Sequence, residues 1–416
     1  MSRELNSTPE RVRPRGWLRH YVGLLTPAGV VAGQAALERN RAQRVGRVVA
    51  GAKEGLAQRR RATRPRMRAL IASPGGKLGW VSVPSPPPPG PLEAIVRPIA
   101  VATCDMDPVI ASGASPFPLP LHMGHECVAE VLAVGTDVAG VRPGERVVVP
   151  FQISCGTCPA CACGRTSNCT GLPPISMYGF GLAGGLWGGA LADELAVPFA
   201  DAMLVSLPDS IDPAAAASVA DNVVDAYRHI APHLQSLRAG DRDPSVLVLG
   251  ALKENSPFSA SMPIYTALIA TALGAGRVTI VEARRFARAH AERLGLHAIA
   301  PEELDDERAP LVVDVSASRG GLDLAVRHTA DDGVCSCGGG LHRTARIPFL
   351  LAYGHNVTIS ISRVHARALI PEVLELMSAG RLHPEQVTST LAPIDEAPRV
   401  LREHYLAGAV KTILTA

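Results

Sequence analysis

Residues 245–282 read SVLVLGALKENSPFSASMPIYTALIATALGAGRVTIVE. Ser245–Gly250 is a short branched-apolar run ended by glycine, the composition of a strand buried on both faces. Pro263–Leu273 is longer, apolar and rich in helix formers, and Val278–Glu282 repeats the strand pattern. Continuing outward, Ala283–Leu294 reads as a helix, and Leu311–Val315, Val334–Cys337 and Val357–Ser362 as further buried strands. Strands alternating with helices predict a parallel, doubly wound α/β sheet. Upstream the texture is different. Met67–Ala72, Ala94–Ala102, Glu126–Val134 and Glu145–Pro150 are short β-rich pieces separated by Pro/Gly turns, including the run Pro86–Pro89, which predicts a small, mostly β domain. Leu369–Ala379 has the spacing of an amphipathic helix, and Lys411–Leu414 reads as a last strand that returns to the β domain.

With 416 residues, 47% of them hydrophobic, the chain is long enough for two cores. The net charge of +3 conceals an asymmetry. Residues 1–66 carry 15 Lys and Arg against 4 Asp and Glu, a net +11, whereas the remaining 350 carry 26 against 34, a net −8. The basicity therefore belongs to an N-terminal extension. Few aromatics accompany it and no binding motif is recognisable, so no nucleic-acid partner is expected. Tyr21–Leu37 is a softer apolar stretch, but Pro27 and three glycines break it and more Arg follows, unlike a secretory leader. No uninterrupted apolar run is long enough to span a membrane. The expected organisation is an extension at 1–66, the β domain at 67–217, the sheet domain at 218–380 and a return segment at 381–416, in a cytoplasmic protein.

Five of the nine cysteines crowd into fifteen residues, and four of them form a pattern. Cys155, Cys158, Cys161 and Cys169 stand at C-x2-C-x2-C-x7-C spacing, with Gly156, Pro159 and Gly164 between them. Four thiolates on one short lobe suit a closed tetrahedral Zn²⁺ that orders the chain and reacts with nothing. A disulfide cluster is the weaker reading, because the rest of the chain holds no disulfide framework. Cys163 fits the pattern poorly and is read as a bystander. A second set is dispersed: Cys104, then His125 and Glu126, then Asp221. A thiolate, an imidazole and a carboxylate would leave a fourth metal position open, as a reactive Zn²⁺ requires. Spacing alone does not join Asp221 to the other two.

Several motifs act together here: Gly124-His125-Glu126 with Val134-Gly135, Pro143-Gly144-Glu145-Arg146-Val147, the cysteine lobe, Gly188-Gly189-Ala190, and the tail from Ala379 to Lys411. In these the chain from Met67 onward resembles the zinc-dependent alcohol dehydrogenases of the medium-chain dehydrogenase/reductase family. The resemblance implies a GroES-like catalytic domain joined to a Rossmann domain, and hydride transfer between NAD(H) and an alcohol, aldehyde or ketone, NADP(H) not excluded. It implies two zincs per chain, Cys104, His125 and Asp221 holding the reactive one. Glu126 would be the neighbouring acid that exchanges onto the metal, Asp107 an acid that orients the imidazole, and Phe151 part of the substrate wall. Dimers or tetramers are common among such proteins.

Two departures accompany it. Met106 stands where the family commonly has a Ser or Thr hydroxyl that starts a proton relay, leaving Asp105, Glu126 or water as exits. After Gly250 the expected G-x-G-x-x-G turn, which lets backbone N–H groups approach a pyrophosphate, is replaced by a longer loop. Gly250 is kept, Ser259 and Ser261 are candidate phosphate donors, and Glu282 is placed to accept from a ribose 2′-OH, a preference for NAD that Arg284 and Arg285 weaken. The two departures leave an alternative: a relative with a degenerate nucleotide loop that binds or regulates, or holds its nucleotide tightly, without turnover.

Overall fold

The computed structural model describes residues 64–113, 115, 117–238, 243–338 and 345–416, apart from the side chains of residues 405–407. Nearly all of the basic extension lies outside them.

The β domain opens with β1 (Arg66–Ser73), β2 (Lys77–Pro84), β3 (Ala94–Ala102), β4 (Leu121–His122), β5 (Glu126–Val134), β6 (Arg146–Val149), β7 (Leu195–Val197) and β8 (Val205–Ser206). β1 pairs with β2 and β4 in a three-stranded sheet, and the larger sheet runs β15 (Thr390–Pro393)-β16 (Thr412–Thr415)-β3-β5-β6-β8, with β7 also on β3. Val96, Val101, Val128 and Val148 are buried, as alternating β-branched residues on a packed sheet should be. Glycine is needed where the chain folds back over the motif Gly124-His125-Glu126. Gly124 has φ +83°, and a Cβ there would lie 2.8 Å from the backbone nitrogen of Leu191.

The second domain holds β9 (Val246–Leu249), β10 (Val278–Val281), β11 (His297–Ile299), β12 (Ala309–Asp314), β13 (Thr329–Cys337) and β14 (Thr358–Ile361). All neighbouring pairs are parallel, in the order β11-β10-β9-β12-β13-β14. Counted from β9 that is 3-2-1-4-5-6, the Rossmann order, with its ligand crevice at the carboxyl ends of β9 and β12. The helices Ser261–Ala272, Arg285–Arg293, Gly321–Arg327 and Ala366–Ser378 connect or flank these strands. The predicted helices at 263–273 and 283–294 are therefore present with ends shifted by one or two residues.

The chain ends with β15 (Thr390–Pro393), the helix Ala397–Ala407 and β16 (Thr412–Thr415). β16 pairs antiparallel with β3, Ile413 opposite Ala102, so the last strand does return to the β domain. One apolar cluster runs through both domains, joining Ala102, Val128 and Phe180 to Val223, Val248, Ile264 and Val410. The reactive set lies beside this continuous core.

Candidate metal centres and nucleotide cleft

Cys104 follows β3, His125 immediately precedes β5, and Asp221 is the residue before the helix Asn222–Leu237. Three separate elements thus deliver them to one point. The side-chain ligand atoms of Cys104, Asp107 and His125 lie within 4.8 Å of one another, and so do those of His125, Glu126 and Asp221. His125 is common to both groups. Its Nε2 is 3.3 Å from Asp221 Oδ2, yet it is buried without a well-aligned hydrogen bond in the chain. The ring is held by Phe180 and Phe151, with centroids 4.8 and 5.7 Å away. Phe117 stands edge-on to Phe180 at 4.9 Å. Gly179 makes room for the imidazole, since a Cβ there would lie 3.0 Å from Nδ1.

The electrostatics of this cluster call for a cation. Burial pushes the Cys104 thiol well up, and Asp107, Asp105, Glu126 and Asp221 push it further. Burial also raises Asp105 to about 6 and Glu126 to about 8, the latter against the pull of Lys411. Burial would lower His125, but Asp221 and Asp107 outweigh it and hold the imidazole up at about 9. Burial is the larger cause for the thiol and the carboxyls, and the neighbouring acids add to it in each case. A divalent ion on the orphaned Nε2, the Cys104 sulfur and a carboxylate would relieve all of them together.

Behind the cluster lies an arrangement that the sequence did not announce. Lys411, fully buried, donates through Nζ to Glu126 Oε2 at 2.9 Å and to Asn222 Oδ1 at 2.8 Å. Glu126 Oε1 is buried with no hydrogen-bond partner, and the carboxylate belongs to the His125–Asp221 group. One oxygen is thereby fixed and the other left without a partner. A lone lysine before a terminal strand carries no sequence signal for this role. Asp107 accepts from the Cys104 backbone N–H at 2.8 Å, so it shapes the turn that presents the thiol. Met106 is buried and offers Cys104 Sγ its backbone N–H at 3.1 Å, while its side chain joins the core.

In the lobe, the four sulfurs of Cys155, Cys158, Cys161 and Cys169 lie within 4.8 Å of one another. Backbone N–H groups aim at them: Cys161 and Thr170 donate to Cys158 Sγ at 3.5 and 3.4 Å, and Cys155 to Cys169 Sγ at 3.4 Å. Burial opposes ionisation of Cys158, but these donors win and bring it down to about 5. Amide donors around clustered sulfurs suit thiolates bound to zinc. A Cβ on Gly171 would lie 2.9 Å from Cys155 Sγ, so only glycine closes the lobe. Cys163 is exposed and outside the set.

The nucleotide end departs from the sequence expectation. Glu282 is 1% exposed, and both its oxygens are filled. Oε1 accepts from Arg284 N at 2.9 Å and Nε at 2.8 Å, and Oε2 from Arg284 Nη2 at 2.9 Å and Ala251 N at 3.1 Å. It has no free acceptor for a ribose diol in this conformation. Gly250 is required by that carboxylate, because a Cβ would lie 2.6 Å from Oε2. Ser259 and Ser261 are buried and spent internally, Ser259 Oγ on the Val410 carbonyl at 2.5 Å and Ser261 Oγ on Asn222 Oδ1 at 3.4 Å. The expected phosphate donors thus face the protein, because the lengthened loop docks on the other domain. Ser259 N–H reaches the Asp105 carbonyl at 3.2 Å, and Phe258 packs on the β-domain core.

Residues 90–209 match the alcohol dehydrogenase GroES-like domain family. A probable zinc-binding alcohol dehydrogenase of Mycobacterium tuberculosis is 27% identical over 342 residues, 80% of this chain and 84% of the relative. Geraniol dehydrogenase of Castellaniella defragrans is 32% identical over 274 residues, 61% of this chain and 66% of the relative. Among solved structures, the alcohol dehydrogenase TADH from Thermus sp. ATN1 superposes with a TM-score of 0.73 at 28% identity, covering 84% of this chain and 99% of that one. The chain belongs with the zinc-dependent alcohol dehydrogenases of the medium-chain dehydrogenase/reductase family, and is an oxidoreductase of that class. Among the described residues no helix is long and apolar enough to cross a membrane.

Proposed function

We propose that this chain interconverts a small alcohol and its aldehyde or ketone, passing the hydride to or from a nicotinamide dinucleotide. The observation that carries this reading is the His125 cluster, where thiol, imidazole and carboxylates from separate elements surround one orphaned nitrogen. Cys104, His125 and Asp221 would hold the reactive zinc, which when bound polarises the substrate oxygen and eases loss of the alcohol proton. Cys155, Cys158, Cys161 and Cys169 would hold a second, structural zinc, giving two per chain. Phe117, Phe151 and Phe180 form an apolar wall that orients the substrate and excludes water. Lys411 fixes one oxygen of Glu126 and leaves the other unbonded, so that the carboxylate could exchange onto the metal. The GroES-like part spans 67–217, the Rossmann part 218–380, and 381–416 returns to the first.

The same reading makes the protein a cytoplasmic homo-oligomer with small-molecule substrates. The edge strand β14, on which Ile361 is 65% exposed, supports the oligomer, and Phe349 and Leu350 on the preceding helix are exposed as well.

The test is a screen of primary and secondary alcohols, and their carbonyl partners, with each nicotinamide cofactor, followed at the reduced-nicotinamide absorbance. It is run on protein with zinc counted by mass spectrometry. Turnover that disappears in Asp221→Ala, together with about one of two zincs, is expected. Fully zinc-loaded wild type with no turnover on any pair would refute the reading.

A further inference from the structure

We propose that the substrate carries a carboxylate or phosphate at the end remote from its hydroxyl, bound by Arg228, Arg363 and His365 where the sheet domain meets the cysteine lobe. This rests on the alcohol-oxidising reading above.

The segment Ser362–His365 leaves the carboxyl end of β14, the end of a parallel sheet beyond which ligands bind. Three other parts of the chain meet it there. Gln152, next to the wall residue Phe151, donates through Nε2 to the Val364 carbonyl at 2.9 Å and accepts from the Ala366 N–H at 3.2 Å. In the lobe, Arg363 Nη2 donates to the Ser167 carbonyl at 2.8 Å and to Asn168 Oδ1 at 3.2 Å. Arg228 Nη1 donates to Ser362 Oγ at 3.1 Å. Arg228 stands on the helix Asn222–Leu237, which Asp221 immediately precedes. Seven residues separate it from Asp221, about 10 Å along the axis and on the same face, so hydroxyl and anion would lie several bonds apart.

Positive charge is in excess here. Asp225 pairs with Arg228 Nε at 2.5 Å, but Arg165 and Arg363 pair with no carboxylate among the described residues. Burial, and then the charges of Arg363, Arg228 and Arg165, hold the His365 imidazole below its ordinary range, with no acid opposing them. Donors are also left over. The Ser167 N–H donates to His365 Nδ1 at 3.2 Å, so the neutral ring carries its proton on Nε2. That Nε2, Arg228 Nη2, and Nε and Nη1 of Arg363 have no hydrogen-bond partner among the described residues. Arg363 is exposed, so an anion can bond to it while its present bonds stay. Charge-assisted bonds to such donors favour a carboxylate or phosphate over any neutral group.

The experiment compares ω-hydroxy acids of increasing chain length with their methyl esters and with the matching ω-hydroxyalkyl phosphates, as substrates of the zinc-loaded full chain. At the best length one anion should exceed the ester at least about tenfold in kcat/KM, mostly through KM, and added salt should shrink the advantage. The better anion identifies the group. The advantage should fall toward one in Arg363→Gln, recover in part in Arg363→Lys, and drop several-fold in Arg165→Gln. Zinc counting checks that each variant keeps its lobe, and if Arg363→Gln does not, Arg165→Gln decides. An ester turned over as well as both anions overturns the inference and leaves the alcohol reading standing. So does an advantage untouched by the glutamine variants. No turnover of any alcohol, charged or neutral, removes both.

Discussion

Replacing Lys411 with Met tests how the buried centre is held together. Lys411 Nζ bonds Glu126 at 2.9 Å and Asn222 at 2.8 Å, and both members of the ion pair have fully buried side chains. Methionine matches the stem but removes the ammonium, leaving the Glu126 carboxylate buried beside Asp221 with no cation of the chain bonded to it. Stranding one partner of a buried pair costs about 3–5 kcal/mol. With a urea dependence near 3 kcal/mol per molar, the midpoint should fall by roughly 1–2 M. Trp80 and Trp187 lie in the β domain, so tryptophan fluorescence during urea unfolding reports the domain in question. The double variant Lys411→Met/Glu126→Gln removes both charges, and should recover most of the loss, to within about 2 kcal/mol of wild type. A single substitution costing less than about 1 kcal/mol would refute the reasoning, as would a double variant no more stable than the single.

Three further outcomes follow from the same geometry. Cys158→Ser should lose one zinc and unfold the lobe at lower denaturant, because a structural metal contributes folding free energy directly; unchanged zinc content and midpoint would contradict it. His404 is held down to about 4 by burial, with Lys411 adding to it, and its Nδ1 lies 2.6 Å from Thr412 Oγ1. The unfolded imidazole binds its proton first, so this contribution is complete above about pH 6.5 and declines toward pH 4, by roughly 3 kcal/mol in all. Denaturation midpoints of wild type and His404→Leu should therefore converge as the pH falls through that window, and parallel curves would count against it. Gly135→Ala places a Cβ 1.9 Å from the Gly90 carbonyl oxygen, a backbone atom that cannot swing aside, so a thermal shift assay should show clear destabilisation.

Much of this molecule was legible without coordinates, for reasons of local chemistry. Buried parallel strands must be continuously apolar, so Ser245–Gly250 and Val278–Glu282 revealed the sheet domain, and the spacing of Cys155, Cys158, Cys161 and Cys169 revealed the lobe. Both signals are short in sequence because the interactions behind them are short in sequence. The His125 centre was different. Its members lie on three elements spread over more than a hundred residues, and family resemblance, not spacing, brought Asp221 to the others. Lys411 was beyond reach altogether: a lysine normally seeks water, and only the pairing of β16 with β3 buries it against Glu126. Glu282 shows the opposite case. Its position after a strand was legible in the sequence, but whether its oxygens were free depended on where Arg284 and the long loop came to rest. Sequence determined which groups were available near each turn, whereas tertiary packing decided which of them were already spent on one another, since a buried charge takes the nearest partner the fold supplies.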